Sequence, residues 1–423
     1  MSWAARFRAR QYVRESLWIC PLAGLIIGGF LALLTRQADT SWTVPAGWRY
    51  APSTASTVLT AIVGALVGLI GFVVTVTVLA IQMATGTFSA RYMRIWYRDG
   101  LLQATLTVLV GTASFAFTLL RQVTSTTAPN IGVTCAGALV AAGLILFLLF
   151  FSRFVHRLRP VAVSGLAGDI GVRMIRTVIQ VAQTGRAATE ITAGQPALTV
   201  LSAGDGAIQA VSFRGLGRWA CKNQSLLILQ AAVGDFVTTG QPLVTVTADR
   251  KLPANASRRL RGMIALGVER TAEQDLAFTI RIMVDVAIKA LSAAINDPTT
   301  AIQSIDHLAK VLRRLGSASL RGRLEFRDQQ GTPRVVVPGR SWTDYLSLAV
   351  TEIREFGATD IQVLRRLKAL LEDLRGTVHT DNKPAVEDEL ARLAGTVEAA
   401  FGNSVDHDRA QQRDLQGIGG PRE

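Results

Sequence analysis

Four long apolar stretches near the N-terminus constrain this chain more than any other feature. They cover residues 16–34, 58–82, 101–120 and 131–151. Each is long enough to cross the hydrocarbon core of a bilayer as a helix, which takes about 20 apolar residues. No Asp, Glu, Lys, Arg or His lies in the middle of any stretch. We therefore predict a transmembrane domain of four helices over residues 1–160.

The distribution of basic residues predicts the orientation of this domain. Residues 1–160 hold 13 Arg, no Lys and three acidic residues, a net charge of 13 − 3 = +10, and the rest of the chain adds only +4 to the total of +14. The arginines are concentrated in the N-terminal arm, in the second connection and directly after the fourth stretch. By the positive-inside rule we expect a multi-pass protein of the bacterial cytoplasmic (inner) membrane with both termini in the cytoplasm.

The same charges predict the partners. The basic excess flanks the apolar stretches, so the lipid bilayer is the expected partner. A nucleic-acid-binding protein would carry a basic face with interleaved aromatic residues in its soluble part, and we find none here. The absence of ionisable groups inside the stretches also weighs against a proton-coupled transporter.

Two pairs of glycines at a spacing of four occur in the stretches. Gly24 and Gly28 lie in the first, and Gly64 and Gly68 lie in the second. Such pairs let helix backbones approach closely. We expect them to pack helices within one chain, with contacts in a homo-oligomer as the alternative.

Thr75 and Gln82 are polar residues in the second stretch. They lie seven residues apart and therefore share one face of the helix. This makes them candidate pore-lining residues in an oligomer. The competing interpretation is that the threonine hydroxyls bond back to their own helix, which is the commoner use of threonine in such helices.

The cysteines and histidines predict neither a metal site nor a disulfide framework. The three cysteines and four histidines are scattered, and none stands at the spacing of a zinc or redox motif. No cofactor fingerprint and no catalytic constellation can be found elsewhere. We therefore expect no cofactor, no metal and no enzymatic activity.

The residues after the apolar stretches predict a cytoplasmic α+β region. Residues 161–194 have helical apolar spacing and predict a juxtamembrane helix with arginines near anionic headgroups. Residues 195–250 are rich in β-formers separated by Gly-Asp and Gly-Gln turns, which predicts a small β module. Residues 255–403 predict a mostly helical domain with a hairpin near 323–337. The polar tail, 404–423, is typical of disorder.

The β module contains a turn pattern known from another class of domain. The segment VGDFVTTGQPL (233–243) is similar to the turn–strand–turn of barrel-sandwich modules such as lipoyl domains. The modified lysine of those domains lies in a hairpin, between acidic and hydrophobic residues. Lys222 lies in ACKNQ and does not match this context. We therefore interpret residues 195–250 as a structural β module without a swinging cofactor arm.

The helical domain contains an abrupt break. In ALSAAINDPTTAIQSID (290–306), Asp297 directly precedes Pro298. An Asp can accept the free N–H groups of a helix start, and Pro needs no donor at the first helical position. The pattern predicts that a helix ends before Asn296 and that a second one starts here and ends near Gly316.

The helix before this break carries a row of charges. Arg281, Asp285 and Lys289 recur at steps of four. Residues at this spacing are neighbours on a helix surface and can form ion pairs. We expect this row to be a solvated face rather than a catalytic one.

Three blocks of the sequence resemble a known family. They are VLAIQMATGTFSARYMRIWYRDG (78–100), the VGDFVTTGQPL block, and ERTAEQDLAFTIRIMVDVAIKALSAAINDPTTAIQSIDHL (269–308). In order and spacing they resemble the predicted bacterial membrane proteins grouped as domain of unknown function 2254. Two positions depart from the family pattern, because Ala90 and Ala293 stand where the family typically has Pro. The second departure weighs against a sharp bend before Asn296. The resemblance implies the architecture and assigns no activity.

The most specific of these blocks supplies the candidate functional residues. Its polar residues form a motif of unknown role, either a ligand or partner site or a helical corner. The motif consists of Glu269, Arg270, Gln274, Asp275, Asn296, Asp297, Pro298, Thr299, Thr300 and Asp306.

Three functions are compatible with these features. The first is a non-enzymatic anchor, scaffold or sensor with a cytoplasmic domain. The second is an oligomeric channel or transport component lined by the polar face of the second stretch. The third is an enzyme that uses Glu269, Asp275, Asn296 and Asp297, but sequence alone does not show that these groups meet in one pocket.

Overall fold

The computed structural model describes residues 1–41, 49–87, 99–157, 159–184 and 195–418. The chain divides into two compact units. The helical unit comprises the described residues of Gln11–Gly86 and Ala90–Arg159. The α/β unit comprises those of Met1–Arg10, Thr87–Ser89 and Pro160–Glu423.

The N-terminal region consists of helices only in its described part. They are α1 (Trp3–Glu15), α2 (Ile19–Ser41), α3 (Pro52–Thr87), α4 (Gly100–Leu120) and α5 (Asn130–Arg157). Three segments, in α3, α4 and α5, are long and apolar enough to cross a membrane. The helix pair α1 and α2 meets the same criterion jointly but is bent by 75° at its break. The described chain therefore has three candidate spans, or four if the bent pair is one span.

The first glycine pair brings α2 and α4 into close contact. A β-carbon at Gly28 would collide with the carbonyl oxygen of Gly111, and one at Gly24 would collide with that of Thr107. At the same interface, the Ser114 hydroxyl donates to the Leu25 carbonyl oxygen at 2.8 Å. This is the intrachain packing expected for Gly24 and Gly28.

The second glycine pair has different surroundings. No atom other than those of their own helix and chain neighbours lies within 4 Å of a β-carbon built at Gly64 or Gly68. The α3 face that carries these glycines is therefore open within the described chain.

The α/β unit contains two sheets. The larger has the strand order β1-β5-β3-β8-β7 and the smaller has the order β4-β2-β6. The strands are β1 (Leu198–Leu201), β2 (Gly206–Val211), β3 (Ser225–Leu229), β4 (Phe236–Val237), β5 (Pro242–Ala248), β6 (Ile264–Gly267), β7 (Arg321–Arg327) and β8 (Pro333–Ser341). In β3, Ser225, Leu227 and Leu229 are buried while the residues between them are half-buried, so one side of the strand faces inward although its sequence, SLLIL, shows no alternation of apolar and polar residues.

The predicted hairpin is present as β7 and β8, but it is not an appendage of the helical domain. Strand β8 pairs in parallel with β3, with Leu227 opposite Val335 and Ile228 opposite Val336. The hairpin therefore extends the sheet of the predicted β module. The sequence pattern identifies the strands, but strand pairing over about a hundred residues depends on side-chain packing that no local pattern encodes.

Helices cover these sheets and form a layer of their own. They are α6 (Pro160–Thr184), α7 (Phe213–Lys222), α8 (Ala256–Arg261), α9 (Leu276–Ala290), α10 (Pro298–Leu315), α11 (Trp342–Phe356), α12 (Ile361–Thr377), α13 (Lys383–Phe401) and α14 (His407–Ala410). The sheet core packs against α7 and α8 through Leu216, Trp219 and Leu260. The capping box of Ser341 and Asp344, visible in the sequence, starts α11.

Helix α6, which lies in the segment predicted as a juxtamembrane helix, packs against α10 of the α/β unit. Ser164 is buried and shares a hydrogen bond of 2.8 Å with Ser304 of α10. Asp169 accepts from Lys310 at 2.7 Å. Gly168 lies against His307, where a β-carbon would be in van der Waals contact with the imidazole. Val163, Ala167 and Ile175 of α6 are buried in the described chain. Residues 185–194 of the predicted helix lie outside the described residues.

The row of charges on α9 is not the solvated face that its spacing predicts. Arg281 donates through Nε to Asp285 at 2.6 Å and through Nη1 to Glu352 of α11. Asp285 is only 8% exposed. The row lies at a helix–helix contact because α11 packs on this side of α9, which the charge spacing within one helix does not reveal.

Residues 404–418 are ordered against α12, in contrast to the disorder predicted for the tail, and residues 419–423 of that tail lie outside the described residues. Arg365 donates to the Gln412 carbonyl oxygen at 3.2 Å, and the Asp414 N–H donates back to the Arg365 carbonyl oxygen at 3.2 Å. The carboxylate of Asp414 then accepts the N–H groups of Gln416 and Gly417 at 2.9 Å each. These bonds fix a polar segment that buries little apolar surface, which is why its composition suggested disorder.

The two glycine pairs give a matched test of the helical unit. Gly28→Leu should lower its thermal unfolding midpoint strongly, because overpacking at a tight contact costs about 1–3 kcal/mol or more. Gly68→Leu should leave the midpoint nearly unchanged, because its β-carbon meets no other segment. The measurement is thermal unfolding of purified full-length protein in a neutral detergent. Equal losses in both variants would contradict the close approach of α2 and α4.

Candidate functional site

A cavity of about 590 Å³ lies inside the α/β unit. Small-molecule sites typically enclose about 300–1,000 Å³. Its walls come from the turn between β3 and β4, the start of α9 with the residues just before it, the hairpin β7–β8 and the start of α11. Helices α6 and α7 contribute one residue each. The lining residues used below are Phe213, Asp235, Glu273, Gln274, Asp275, Leu324, Phe326, Val337, Arg340, Asp344 and Tyr345.

One part of the lining is apolar and aromatic. Phe213 of α7 and Phe326 of β7 stack with ring centroids 4.7 Å apart and an interplanar angle of 13°. Leu324 and Val337 belong to the same lining. Such a surface favours an apolar or aromatic ligand body.

Asp275 provides a buried carboxylate in the lining. Its side chain is 4% exposed. Oδ1 accepts the Phe278 N–H at 3.0 Å and so caps α9. Oδ2 lies 3.1 Å from the Nε of Arg270, which makes an ion pair, but neither atom has a hydrogen bond of good geometry. Burial raises the pKa of Asp275, and the charge of Arg270 and the Phe278 N–H only partly oppose this.

A turn with a left-handed glycine closes over this ion pair. Gly234, the glycine of VGDF, has φ +97°. A β-carbon at this position would collide with the carboxylate of Asp275 and the guanidinium of Arg270. Only glycine combines this backbone conformation with such a close approach. The glycine of the lipoyl-like segment VGDFVTTGQPL is therefore required in this chain by its close approach to Asp275 and Arg270.

Tyr345 provides a second buried polar group. The residue is 8% exposed. Its hydroxyl makes no hydrogen bond to any residue in the described part of the chain. Burial first, and then the charge of Asp275, raises the pKa of Tyr345 to about 12, so the phenol stays protonated near neutral pH.

The first half of the candidate motif lies between β6 and α9 and is joined to β2 by hydrogen bonds. The Gln209 side chain donates to the Glu269 carbonyl oxygen at 2.9 Å, and the Thr271 hydroxyl donates to the Gln209 carbonyl oxygen at 3.3 Å. The Gln274 amide accepts the Val211 N–H at 2.9 Å and donates to the Val211 carbonyl oxygen at 3.2 Å. These bonds fix the segment that contains Gln274 and Asp275, two residues of the cavity wall.

The second half of the motif is a helical joint. Asp297 accepts the Thr300 N–H at 3.1 Å and the Thr300 hydroxyl at 2.5 Å, and Pro298 occupies the first turn of α10. Asn296 adopts φ +48°, a left-handed conformation that Asn tolerates better than most residues. Thr299 is exposed. Residues 296–300 are not part of the cavity lining.

Asp306 and the two candidate pore residues lie elsewhere. The carboxylate of Asp306 accepts from Arg366 at 2.7 Å and joins α10 to α12. The exposed Thr75 donates its hydroxyl to the Gly71 carbonyl oxygen of its own helix at 2.9 Å, and Gln82 is exposed on the same helix. The structure therefore brings only Gln274 and Asp275, of all the candidate residues, into the cavity lining.

Several cavity residues were not singled out from the sequence. Phe213, Phe326, Arg340 and Tyr345 come from three separate segments, and none stands in a motif. Asp344 belongs to a capping-box pattern with Ser341, which predicts a helix start and not a cavity residue. Their common feature is proximity in space, for which a single sequence carries no signal.

The described residues also hold no group of three or more His, Cys, Asp or Glu side chains arranged to bind a metal ion. Cys20, Cys135 and Cys221 are free thiols.

The helical joint can be tested by three substitutions. Asp297→Ala should cost about 1 kcal/mol through the lost cap. Asn296→Val should cost about 1–2 kcal/mol, because a β-branched residue is strained at positive φ, whereas Asn296→Gly should be neutral. Thermal unfolding of the full-length protein measures all three. Unchanged midpoints for both Asp297→Ala and Asn296→Val would show that this segment does not fix the start of α10.

Comparisons with known proteins confirm the resemblance of the three sequence blocks. A family model described as a predicted membrane protein, DUF2254, matches residues 14–373. The uncharacterised proteins Rv1290c and MT1328 of two Mycobacterium tuberculosis strains and Mb1321c of Mycobacterium bovis are each 28% identical over 414 residues, which is 94% of this chain and 79% of each relative. No solved structure matches the chain. Since the family model covers most of its length, the chain belongs to the DUF2254 family of predicted membrane proteins.

Proposed function

We propose that this protein is a non-enzymatic, membrane-anchored sensor whose α/β unit binds a small molecule in the cavity beside Asp275 and Tyr345. The observation that carries the proposal is the cavity itself. It has the volume of a small-molecule site, an aromatic pair in its lining, and Tyr345, a residue 8% exposed whose hydroxyl makes no hydrogen bond within the described chain. A pure scaffold has no need of such a preformed space.

The use of the carboxylates in this cavity supports binding over catalysis. Asp275 caps α9, and Asp344 accepts the N–H and hydroxyl of Ser341 at 2.8 Å each. Asp235 accepts the Ala232 N–H at 2.8 Å. Each of these groups already serves the fold, which favours a site that recognises a ligand and leaves it unchanged.

The channel hypothesis has less support. Its candidate residue Thr75 donates its hydroxyl to its own helix at 2.9 Å, which is a complete local explanation for a polar side chain in an apolar helix.

The proposal includes an orientation in the cytoplasmic membrane. The arginine-rich N-terminal arm and the arginines after the fourth apolar stretch favour a cytoplasmic location for the α/β unit and for both termini. A cytoplasmic sensor would then report on a molecule inside the cell.

Reporter fusions test this orientation. A green fluorescent protein joined after residue 418 should be fluorescent in a bacterial host, and alkaline phosphatase at the same place should be inactive. The reversed pattern would place the α/β unit outside the cytoplasm and contradict this part of the proposal.

A cavity-filling variant tests the binding function. Ala232 belongs to the cavity lining, whereas Ala203 is exposed in the turn between β1 and β2. The neutral probe 3-phenylpropan-1-ol should raise the thermal midpoint of the wild type and of Ala203→Trp, because a ligand that binds only the folded state stabilises it. Ala232→Trp should abolish this rise. The protein is full-length in a neutral detergent.

Comparison of the two tryptophan variants separates binding in the cavity from partition of the probe into detergent. An identical response in both variants would contradict the proposed function.

A further inference from the structure

We infer that a basic surface of the α/β unit binds the anionic headgroups of a phospholipid membrane. The basic surface consists of residues 6–10 in α1 and of residues 250–261, which form the connection after β5 and helix α8. The inference does not depend on the cavity. It follows from the distribution of charge, from a tertiary contact that joins the two segments, and from a cleft beside α8.

The positive charge of the α/β unit is concentrated in these two segments. Residues 6–10 hold three arginines, residues 250–261 hold four arginines and one lysine, and neither segment holds an acidic residue. Residues 161–423 as a whole hold 32 basic and 28 acidic residues. Without residues 250–261 they hold 27 and 28, a net charge of −1. The unit is therefore nearly neutral outside its basic surface.

The cations of the basic surface have no counter-ions within the described part of the chain. The three arginines of α1 and the five basic residues of the second segment are all exposed, and none of them forms an ion pair there. Other exposed cations of the unit, such as Lys310 and Arg313, pair with a carboxylate. Charges of one sign repel each other, and an anionic partner relieves this repulsion.

A tertiary contact joins the two segments. The Ala4 N–H donates at 2.9 Å to the carbonyl oxygen of Gly262, the residue after α8, and Ala4 is only 5% exposed. A β-carbon at Gly262 would lie 3.0 Å from the β-carbon of Ser2. Arg6 follows Ala4 by two residues, and Arg261 directly precedes Gly262. Basic residues that are far apart in the sequence therefore belong to one surface.

The positive-inside rule accounts only for the first segment. It concerns basic residues within about 15–20 positions of the end of a membrane span. Arg250 lies 99 residues beyond Phe151, the last residue of the fourth apolar stretch. The basic residues of the second segment therefore require another reason, and binding of an anionic surface supplies one.

A cleft of about 390 Å³ lies beside α8. Arg250 and Lys251 line it together with Ser257, and Leu198 and Leu252 contribute apolar side chains. A guanidinium group matches the geometry of phosphate oxygens, and a lysine ammonium adds a mobile positive charge. The lining fits the phosphodiester of a lipid headgroup, which is anionic and is attached to apolar carbon atoms.

The surroundings of the basic surface favour a lipid membrane over nucleic acid. Helix α1 ends at Glu15, directly before the first apolar stretch. Trp3 and Phe7 stack on this helix with ring centroids 5.4 Å apart. Aromatic and basic residues on one helix are typical of helices at the membrane interface. Residues 250–261 contain no aromatic side chain on which a base could stack.

Hydrogen exchange of the full-length protein in lipid nanodiscs tests the inference. The discs contain either phosphatidylcholine alone or equal parts of phosphatidylcholine and phosphatidylglycerol. Mass spectrometry measures the deuterium uptake of residues 249–262. We expect lower uptake in the anionic discs, because bound headgroups cover the exposed connection before α8. Salt at about 1 M should remove the difference, since it shortens the Debye length to about 3 Å.

Substitution of three arginines identifies the surface that binds. In Arg258→Gln/Arg259→Gln/Arg261→Gln, uptake should be equal in the two discs. Each arginine near an anionic membrane changes the binding equilibrium about fivefold, so the three together change it about a hundredfold. Lysine at the same three positions keeps the charge and should retain the protection.

Two further variants control this experiment. Arg214→Gln/Arg218→Gln/Lys222→Gln removes three exposed cations from α7 and should leave the protection unchanged. Arg250→Gln/Lys251→Gln changes only the cleft and should reduce the protection, and it replaces the triple arginine variant if that protein does not fold. Each variant is compared with itself in both discs, so that its intrinsic exchange rates cancel.

Three outcomes would overturn the inference. The first is equal uptake of the wild type in both discs. The second is a loss of protection in the α7 control as large as in the triple arginine variant. The third is protection of residues 249–262 by a DNA duplex in phosphatidylcholine discs without any response to phosphatidylglycerol, which would assign the surface to nucleic acid. None of these outcomes concerns the cavity, so the proposed function is decided by its own test.

Discussion

The α/β unit around the cavity depends on the buried carboxylate of Asp275. One of its oxygens starts α9, and the other faces Arg270 beneath a turn that only Gly234 can make. Burial of a charge is costly unless it is paired and hydrogen-bonded, and here the compensation is incomplete, as the raised pKa of Asp275 indicates. A buried carboxylate with a perturbed pKa in the wall of a cavity is a typical feature of functional sites.

The polar residues of the family motif divide into two structural roles. Gln274 and the backbone of Glu269 tie the start of α9 to β2, and this fixes the cavity wall on rigid elements. Asp297 and Thr300 only begin α10, and Asn296 supplies the left-handed residue that the tight joint requires. A surplus of polar residues around a helix start therefore does not identify a binding site by itself.

The two glycine pairs of the helical unit have the same spacing but different surroundings. Gly28 lies against Gly111 so closely that no side chain fits, whereas Gly68, in a motif of the same spacing, meets no other segment of the described chain. Apolar helices gain little from burying hydrophobic side chains when their surroundings are apolar too, so close backbone packing and hydrogen bonds such as Ser114 to Leu25 determine which helices meet.

The sequence by itself determined the features that local chemistry controls. The apolar stretches, the strands with alternating burial, and the caps at Asp297 and Ser341 could all be predicted, because a helix start or a strand face is set by residues within a few positions of each other. Only the tertiary structure decided that β8 pairs with β3, that α11 covers the charged row of α9, and that residues 404–418 are ordered against α12. The cavity belongs to the second group, since Phe213 meets Phe326 and Tyr345, which follow it by more than a hundred residues, and a single sequence does not encode which distant surfaces fit each other.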